Sequence, residues 1–257
     1  MKKAKVLLAG ALVLALGLVM GCSGLGSGDE SVEGNNKEKH WKETNDSTTD
    51  YKRMFQSFGS SKSFTEAVIT IDAKYPKNGW SGVLFGLTEN NDKATTGKDK
   101  NTINFYNVSF RVSEDDKIMY YTSYFANVDQ DDFPKNTGES YGNETVITNT
   151  KEVSTDAGLS VNPDGSLNLA VKVMWTQKEG TKVGTWDLYY GPSVTQSTKH
   201  REILTSGSET AREIEKGGLA AYGQISTAQN KDNPRVVDTT WKVDSSKPTV
   251  IGAAEEE

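Results

Sequence analysis

Acidic side chains are the first candidates for chemistry in this 257-residue sequence. Enzymes that hydrolyse glycosidic bonds use two carboxyl groups roughly 5 to 9 Å apart, one of which is kept protonated. The sequence has two compact acidic clusters, Glu114-Asp115-Asp116 and Asp129-Gln130-Asp131-Asp132, and both stand at the ends of predicted strands. We interpret them as solvated turn charges and predict no catalytic residue. A pair of carboxylates distant in the sequence is the alternative.

The second acidic cluster could also bind calcium, a hard cation that takes several oxygen ligands. Asp129, Asp131 and Asp132 are the candidate ligands. The spacing of an EF-hand loop is missing, because no Gly stands at the sixth position and no Glu at the twelfth. We therefore favour a plain acidic loop and predict no cofactor, with calcium at this loop as the less favoured alternative.

Histidine and cysteine are too few for the other common catalytic and metal sites. His40 and His200 are the two histidines, and Cys22 is the single cysteine. A zinc site needs three or four such ligands, and a serine triad needs a positioned histidine. Neither histidine has a local signature of this kind, so the sequence favours binding over catalysis.

Aromatic side chains are the one group with a binding character. They fall on two consecutive predicted strands and on a later one, where same-face side chains of neighbouring strands lie about 5 Å apart. Such rings can hold the apolar face of a sugar or anchor a protein partner, but they also fill the cores of β-proteins. We favour Tyr121 and Tyr190, because each has a neighbour better suited to the core. The predicted ligand-binding residues are Tyr106, Tyr121, Tyr124, Trp186 and Tyr190.

The start of the chain has the layout of a secretory signal peptide. Lys2, Lys3 and Lys5 precede an apolar run over residues 6–20, which is too short for a membrane-spanning helix of about 20 residues. The run ends in Val19-Met20-Gly21-Cys22, and a cysteine in this place is a site for acylation. We predict cleavage after residue 21, lipidation of Cys22, and attachment to a membrane of the cell envelope. The outer membrane or cell surface is favoured over the inner membrane.

The composition divides the remaining chain into a tether, one domain and a tail. Residues 22–60 are polar and Gly-rich and predict a flexible tether, although Trp41 and residues 51–58 could begin the domain. Residues 61–248 form the predicted domain, and residues 249–257 an acidic tail. With 29 Lys and Arg against 35 Asp and Glu, the chain is acidic and nucleic acid is an unsuitable partner.

Alternation of apolar and polar residues is the main signal within the domain. It predicts strands with one buried face, separated by turns rich in Gly, Pro, Asn and Asp. Asn162-Pro163-Asp164-Gly165 predicts a β-hairpin turn, and residues 209–216 a short helix. Many short strands with almost no helix indicate an antiparallel β-sandwich or barrel. The predicted strands cover residues 67–73, 80–88, 102–113, 117–128, 167–175, 183–190, 219–227 and 236–243.

Parts of this sequence resemble two known families. Leu18-Val19-Met20-Gly21-Cys22 resembles the lipobox of bacterial lipoproteins, in the looser form of spirochaetes. The strand series through Gly79-Trp80-Ser81-Gly82-Val83-Leu84-Phe85-Gly86 and the closing Leu219-Ala220-Ala221-Tyr222-Gly223 resembles the concanavalin-like or laminin-G-like jelly rolls. That group includes lectins, sugar-binding modules and glycan hydrolases. Its hydrolases carry Glu-x-Asp-x-x-Glu along one strand, a triplet that this sequence lacks.

These observations favour a lipid-anchored envelope lipoprotein that binds a glycan or a protein without catalysis. A glycan-cleaving hydrolase of the concanavalin-like group is the first alternative. A structural or antigenic envelope protein without a small ligand is the second.

Overall fold

A computed structural model describes residues 37–58, 64–90, 102–129, 143–177, 184–196, 200–204 and 218–248. Within these ranges the chain forms twelve strands and two short 3-10 turns, Thr155–Ala157 and Val194–Gln196. No helix in this part of the chain is long and apolar enough to cross a bilayer. The strands are β1 (Glu38–Asn45), β2 (Lys52–Ser57), β3 (Phe64–Ala73), β4 (Gly79–Asn90), β5 (Thr102–Val112), β6 (Ile118–Asp129), β7 (Asn143–Glu152), β8 (Leu167–Gln177), β9 (Gly184–Gly191), β10 (His200–Leu204), β11 (Gly218–Ile225) and β12 (Arg235–Pro248).

The strands form two six-stranded antiparallel sheets. Sheet 1 has the order β1-β12-β3-β8-β9-β10, and sheet 2 has the order β2-β11-β4-β5-β6-β7. The chain passes repeatedly from one sheet to the other, so that β3 pairs with β12 while β4 pairs with β11. The prediction of an all-β antiparallel sandwich of the jelly-roll type is confirmed. All eight predicted strands are present.

The core lies between the sheets and is rich in aromatic rings. The largest buried side chains include Trp186 and Trp241 of sheet 1 and Tyr106, Tyr120 and Phe85 of sheet 2. Tyr106 stacks on Phe85 at a centroid distance of 5.5 Å, and Trp186 meets Phe85 edge-on at 5.2 Å. Such pairs add to the free energy gained by burying apolar area.

Two side-chain hydrogen bonds connect the sheets through this core. The Trp241 indole N–H donates to the carbonyl oxygen of Gly82 at 2.8 Å, and the Ser81 and Thr239 hydroxyl oxygens are 3.1 Å apart. All of these groups are buried, so each bond replaces contact with water that the fold excludes. The contacts fix the position of β12 relative to β4.

The structure corrects the prediction of a flexible tether for the polar segment before residue 60. Residues 38–45 and 52–57 are strands β1 and β2, each of which pairs along one edge of a sheet. The fully buried Asn45 donates to the carbonyl oxygens of Asp50 and Ser226, which fastens the intervening loop. The tether prediction is therefore wrong for this stretch, because edge strands need few buried side chains to pair.

The turn at residues 162–165 forms as predicted, without the predicted hairpin. The Gly165 N–H donates to the Asn162 carbonyl oxygen at 2.8 Å, and Gly165 has a φ of 81°, which glycine adopts readily. Residues 153–161 ahead of it are not a strand, so the turn leads only into β8. The signal peptide, the helix at 209–216 and the tail at 249–257 lie outside the described residues.

We expect Trp241→Phe to lower the free energy of unfolding by about 2 kcal/mol, since it removes the bond to Gly82 and leaves a cavity. Chemical denaturation measures this change. Trp80→Phe, on the outer face of sheet 2, is the matched control and should cost less than about 1 kcal/mol. Equal losses in the two variants would contradict the structural role of Trp241.

Candidate binding groove

The outer face of sheet 2 carries a groove of about 390 Å³. This volume is in the range of sites for small ligands. Its walls and floor come from β2, β11, β4, β5, β6 and β7, that is, from every strand of the sheet. The lining residues are Arg53, Phe55, Trp80, Leu84, Phe105, Asn107, Ser109, Tyr121, Phe125, Glu144, Thr150, Tyr222 and Gln224.

Strand register places these side chains in transverse rows. Phe55 of β2 is paired with Tyr222 of β11, which is paired with Gly82 of β4. Gly82 is paired in turn with Ser109, and Ser109 with Tyr121. Because residues directly opposite each other share a face, this row has aromatic rings at both ends and small residues in its centre. The rings thereby become the walls of the groove.

The floor of the groove is open because Gly82 has no side chain. A Cβ atom at this position would lie 2.1 Å from the carbonyl oxygen of Val108, so no other residue fits without moving the backbone. Asn107 and Ser109 lie beside it and are buried, and the Ser109 hydroxyl donates to the Asn107 side-chain oxygen at 2.8 Å. The amide N–H groups of Asn107 donate to no described residue. They are available to a ligand on the floor.

Tyr121 and Glu144 form a hydrogen-bonded pair at one wall. The Tyr121 hydroxyl donates to a Glu144 carboxylate oxygen at 2.5 Å. Burial, followed by this bond and the charge of Glu144, raises the pKa of the Tyr121 phenol well above its usual range. The phenol is consequently protonated at neutral pH and acts as a donor, which makes it unsuitable as a general base.

Trp80 lines another wall of the groove, and Arg111 packs against its ring. The Arg111 guanidinium carbon lies 4.7 Å from the centroid of the Trp80 ring, within the range of a cation–π contact. The opposite side of the groove is close by, because the Trp80 and Tyr121 rings are 6.2 Å apart and inclined at 58°. Two rings at this angle can contact different faces of one ligand.

The apolar part of the lining forms a small cluster of its own. Phe55 lies 5.3 Å from Tyr222, and Phe105 stacks on Phe125 at 5.0 Å. Polar side chains beside this cluster are held by hydrogen bonds, since Gln224 accepts from Arg53 at 3.1 Å and from Tyr222 at 2.9 Å. The groove thus combines ordered polar groups with an apolar surface.

The five predicted ligand-binding residues are divided between the core and the groove. Tyr106, Tyr124, Trp186 and Tyr190 are buried in the core between the sheets, where a ligand on the surface cannot reach them. The prediction is wrong for these four positions, because their strands point them inward. Tyr121 alone lies in the groove. At the neighbouring pair on β9, Tyr189 is the half-buried ring and Tyr190 the buried one, the reverse of the expectation.

Several groove residues are absent from the sequence-based prediction, chief among them Trp80 and Glu144, and so is Arg111, which packs on Trp80. The sequence does contain a signal for the outer face of β4, because residues 80–88 are apolar at both odd-numbered and even-numbered positions. A strand of that kind has both faces covered. Glu144 is on the exposed edge strand β7, where no apolar pattern marks it.

The acidic cluster predicted as a weak calcium site falls almost entirely outside the described residues. Asp129 ends β6, but its side chain, Asp131 and Asp132 lie outside the described residues. In the part of the chain that the structure describes, no three His, Cys, Asp or Glu side chains are grouped to hold a metal ion.

Comparison with known proteins finds solved structures of low similarity. No protein-family model matches the sequence, and no curated protein does. A variant of alginate lyase Aly36B in complex with alginate tetrasaccharide is 8% identical, with a TM-score of 0.35 over 79% of this chain and 78% of that one. The alginate lyase of Klebsiella pneumoniae is 13% identical, with a TM-score of 0.31 over 80% and 61%. The β-porphyranase BpGH16B of Bacteroides plebeius is 10% identical, with a TM-score of 0.31 over 79% and 76%.

We expect Tyr121→Phe to flatten the alkaline fall in stability. The folded chain holds the Tyr121 proton more tightly than the unfolded chain, so this contribution is complete below about pH 10 and is lost as the pH rises further. Urea denaturation at several pH values between 9 and 11 measures the slope. Tyr75→Phe, at an exposed ring, is the control. An unchanged slope in Tyr121→Phe would contradict the raised pKa.

Proposed function

We propose that this protein is a lipid-anchored envelope lipoprotein that binds a glycan in the groove of sheet 2 without cleaving it. The observation that carries the proposal is the placing of Trp80 and Tyr121 on either side of a polar floor. A sugar has an apolar face that packs on aromatic rings and hydroxyl groups that need hydrogen-bonding partners. The groove offers both within one small volume.

The size of the groove favours a glycan over a protein ligand. Stable protein interfaces are broad surfaces that bury about 800 Å² on each partner, whereas this site is a recess with a volume of about 390 Å³. Small-ligand sites instead have a few polar groups set in a mostly apolar recess. Asn107, Glu144 and Gln224 would supply those polar groups here.

The charges of the groove favour binding over hydrolysis. Glycoside hydrolysis needs two carboxyl groups roughly 5 to 9 Å apart. Among the described lining residues the one carboxylate is Glu144, and it accepts the Tyr121 phenol. Binding without cleavage is therefore the favoured function. A hydrolase of the concanavalin-like group is the first alternative, and an envelope protein without a small ligand is the second.

The location belongs to the proposal on sequence grounds alone. Lys2, Lys3 and Lys5, the apolar run and Cys22 support export and acylation. Two or more acyl chains would hold the chain at a membrane more firmly than one, since each buried CH₂ contributes about 0.8 kcal/mol. We place it at the outer membrane or cell surface, with the groove open to external or envelope glycans.

We expect the full chain to bind one class of oligosaccharide on a glycan array, and Trp80→Ala to lose most of that binding. The loss follows from removing the larger ring of the groove. Tyr189→Ala removes a ring from the outer face of sheet 1 and is the matched control, which should bind normally. If Trp80→Ala binds as well as the unmodified chain, the groove is not the site.

The same array separates the alternatives. If mass spectrometry shows that the bound oligosaccharide becomes shorter during incubation, the protein is a glycan-cleaving enzyme. Absence of binding to any glycan would favour the structural or antigenic interpretation and contradict the proposal.

We expect Cys22→Ala to move the protein from the membrane fraction to the soluble fraction while the β-sandwich stays folded, because the acyl chains are lost and the domain is not. Fractionation of cells with detergent extraction measures the first effect, and circular dichroism the second. Retention of Cys22→Ala in the membrane fraction would contradict the proposed anchor.

A further inference from the structure

Two guanidinium groups and a tryptophan lie in one row across sheet 2. Arg53 of β2 is paired with Gln224 of β11, and Gln224 with Trp80 of β4. The pairing of Ser81 with Phe110 places Trp80 beside Arg111 in the next register position. With strands about 4.8 Å apart, the two arginines are some 14 Å from each other along the row. The row is long enough to contact several groups of an extended ligand.

Arg111 lies beside the groove and has a hydrogen-bond donor without an acceptor. It is on the same face of β5 as Asn107 and Ser109, both of which line the groove, because the ladder between these positions has no bulge, and it packs on the lining residue Trp80. Its Nε atom is buried and has no hydrogen-bond acceptor. Across the described ranges, no carboxylate forms a salt bridge with Arg111. A buried N–H on a cation is costly unless an acceptor reaches it, and an anionic acceptor suits it best.

Arg53 stands at the other end of the row with its orientation set. Its Nε atom donates to Gln224 at 3.1 Å, which directs the guanidinium group along the wall of the groove. A guanidinium group fixed in this way places a positive charge at this end of the row.

The one carboxylate among the described lining residues already has a hydrogen-bond donor. Glu144 is paired with Phe125 through its backbone, and its carboxylate accepts the Tyr121 phenol. The formal net charge of the chain is −6, but charges beyond about 8 Å are largely screened at physiological ionic strength. The charges in and beside the groove, those of Arg53, Arg111 and Glu144, therefore matter more to a bound ligand than the net charge of the chain.

We infer that the ligand of the groove is an acidic glycan, with a carboxylate or sulfate group at Arg111 and the adjoining sugar face on Trp80. This inference rests on the proposed glycan-binding function and adds the charge class of the sugar. Both kinds of anion, the planar carboxylate and the tetrahedral sulfate, present two oxygens that a guanidinium group can bind through two hydrogen bonds. Arg111 is then the residue that determines specificity.

Calorimetric titration of the full chain with three oligosaccharides of matched length, one of uronic acids, one sulfated and one neutral, tests the inference. We expect the unmodified chain to bind at least one anionic sugar about ten times more tightly than the neutral one, with an affinity that falls as salt is added. The two anionic sugars identify which group Arg111 accepts.

Two substitutions of Arg111 sharpen this test. Arg111→Gln should weaken anionic binding about tenfold and leave neutral binding unchanged, while Arg111→Lys, which keeps the charge but loses the planar fork, should fall between. Lys242→Gln removes one charge from sheet 1 and is the matched control, expected to bind as the unmodified chain does. Thermal unfolding of each variant verifies that it is folded.

The outcomes separate the inference from the function on which it rests. Equal binding of neutral and anionic sugars, or equal weakening of both in Arg111→Gln, overturns the charge preference and leaves glycan binding in place. Binding of none of the three sugars, together with a negative glycan array, overturns both.

Discussion

The contact between Trp241 and Gly82 is the constraint on which the rest of this structure depends. The indole of Trp241 fills the space between the sheets and donates to the Gly82 carbonyl oxygen. The same glycine forms the floor of the groove on the other face of its strand, where a Cβ atom would meet the Val108 carbonyl oxygen. Core and groove therefore meet at one residue, and a change in either displaces the other.

The central strands were predictable from the sequence, and the edge strands were not. The eight strands marked by alternation, or in β4 by an apolar run, all lie inside their sheets, where one face packs on the core. The four strands without a clear signal, β1, β2, β7 and β10, are the two edges of each sheet. An edge strand pairs on one side only and can be held mainly by backbone hydrogen bonds. In β7 the side chains of residues 144–152 are exposed or half-buried, so no apolar stripe reveals it.

The site was harder to predict because it depends on which of two adjacent aromatic residues points inward. Tyr120 and Tyr121 are chemically identical, and so are Tyr189 and Tyr190. The neighbours of Tyr121 gave its direction correctly, but the same reasoning failed for Tyr190, which packs against Phe110 in the core at 5.4 Å. Arg111 and Glu144 need the strand register and the tertiary fold, since their positions in the groove arise from pairings between strands that no local pattern encodes.

Because alternate residues of the sheet 2 strands face the core and the groove, selection for stability and selection for ligand binding act on different positions. Positions 54, 83, 108 and 120 are buried in the core, whereas positions 53, 80, 107 and 121 face the groove. Substitutions in the second set can alter what is recognised without disturbing the packing that keeps the chain folded. Related chains should accordingly vary most at every second residue of these strands, while Gly82 stays constant. Such a surface can diversify quickly on a scaffold that hardly changes.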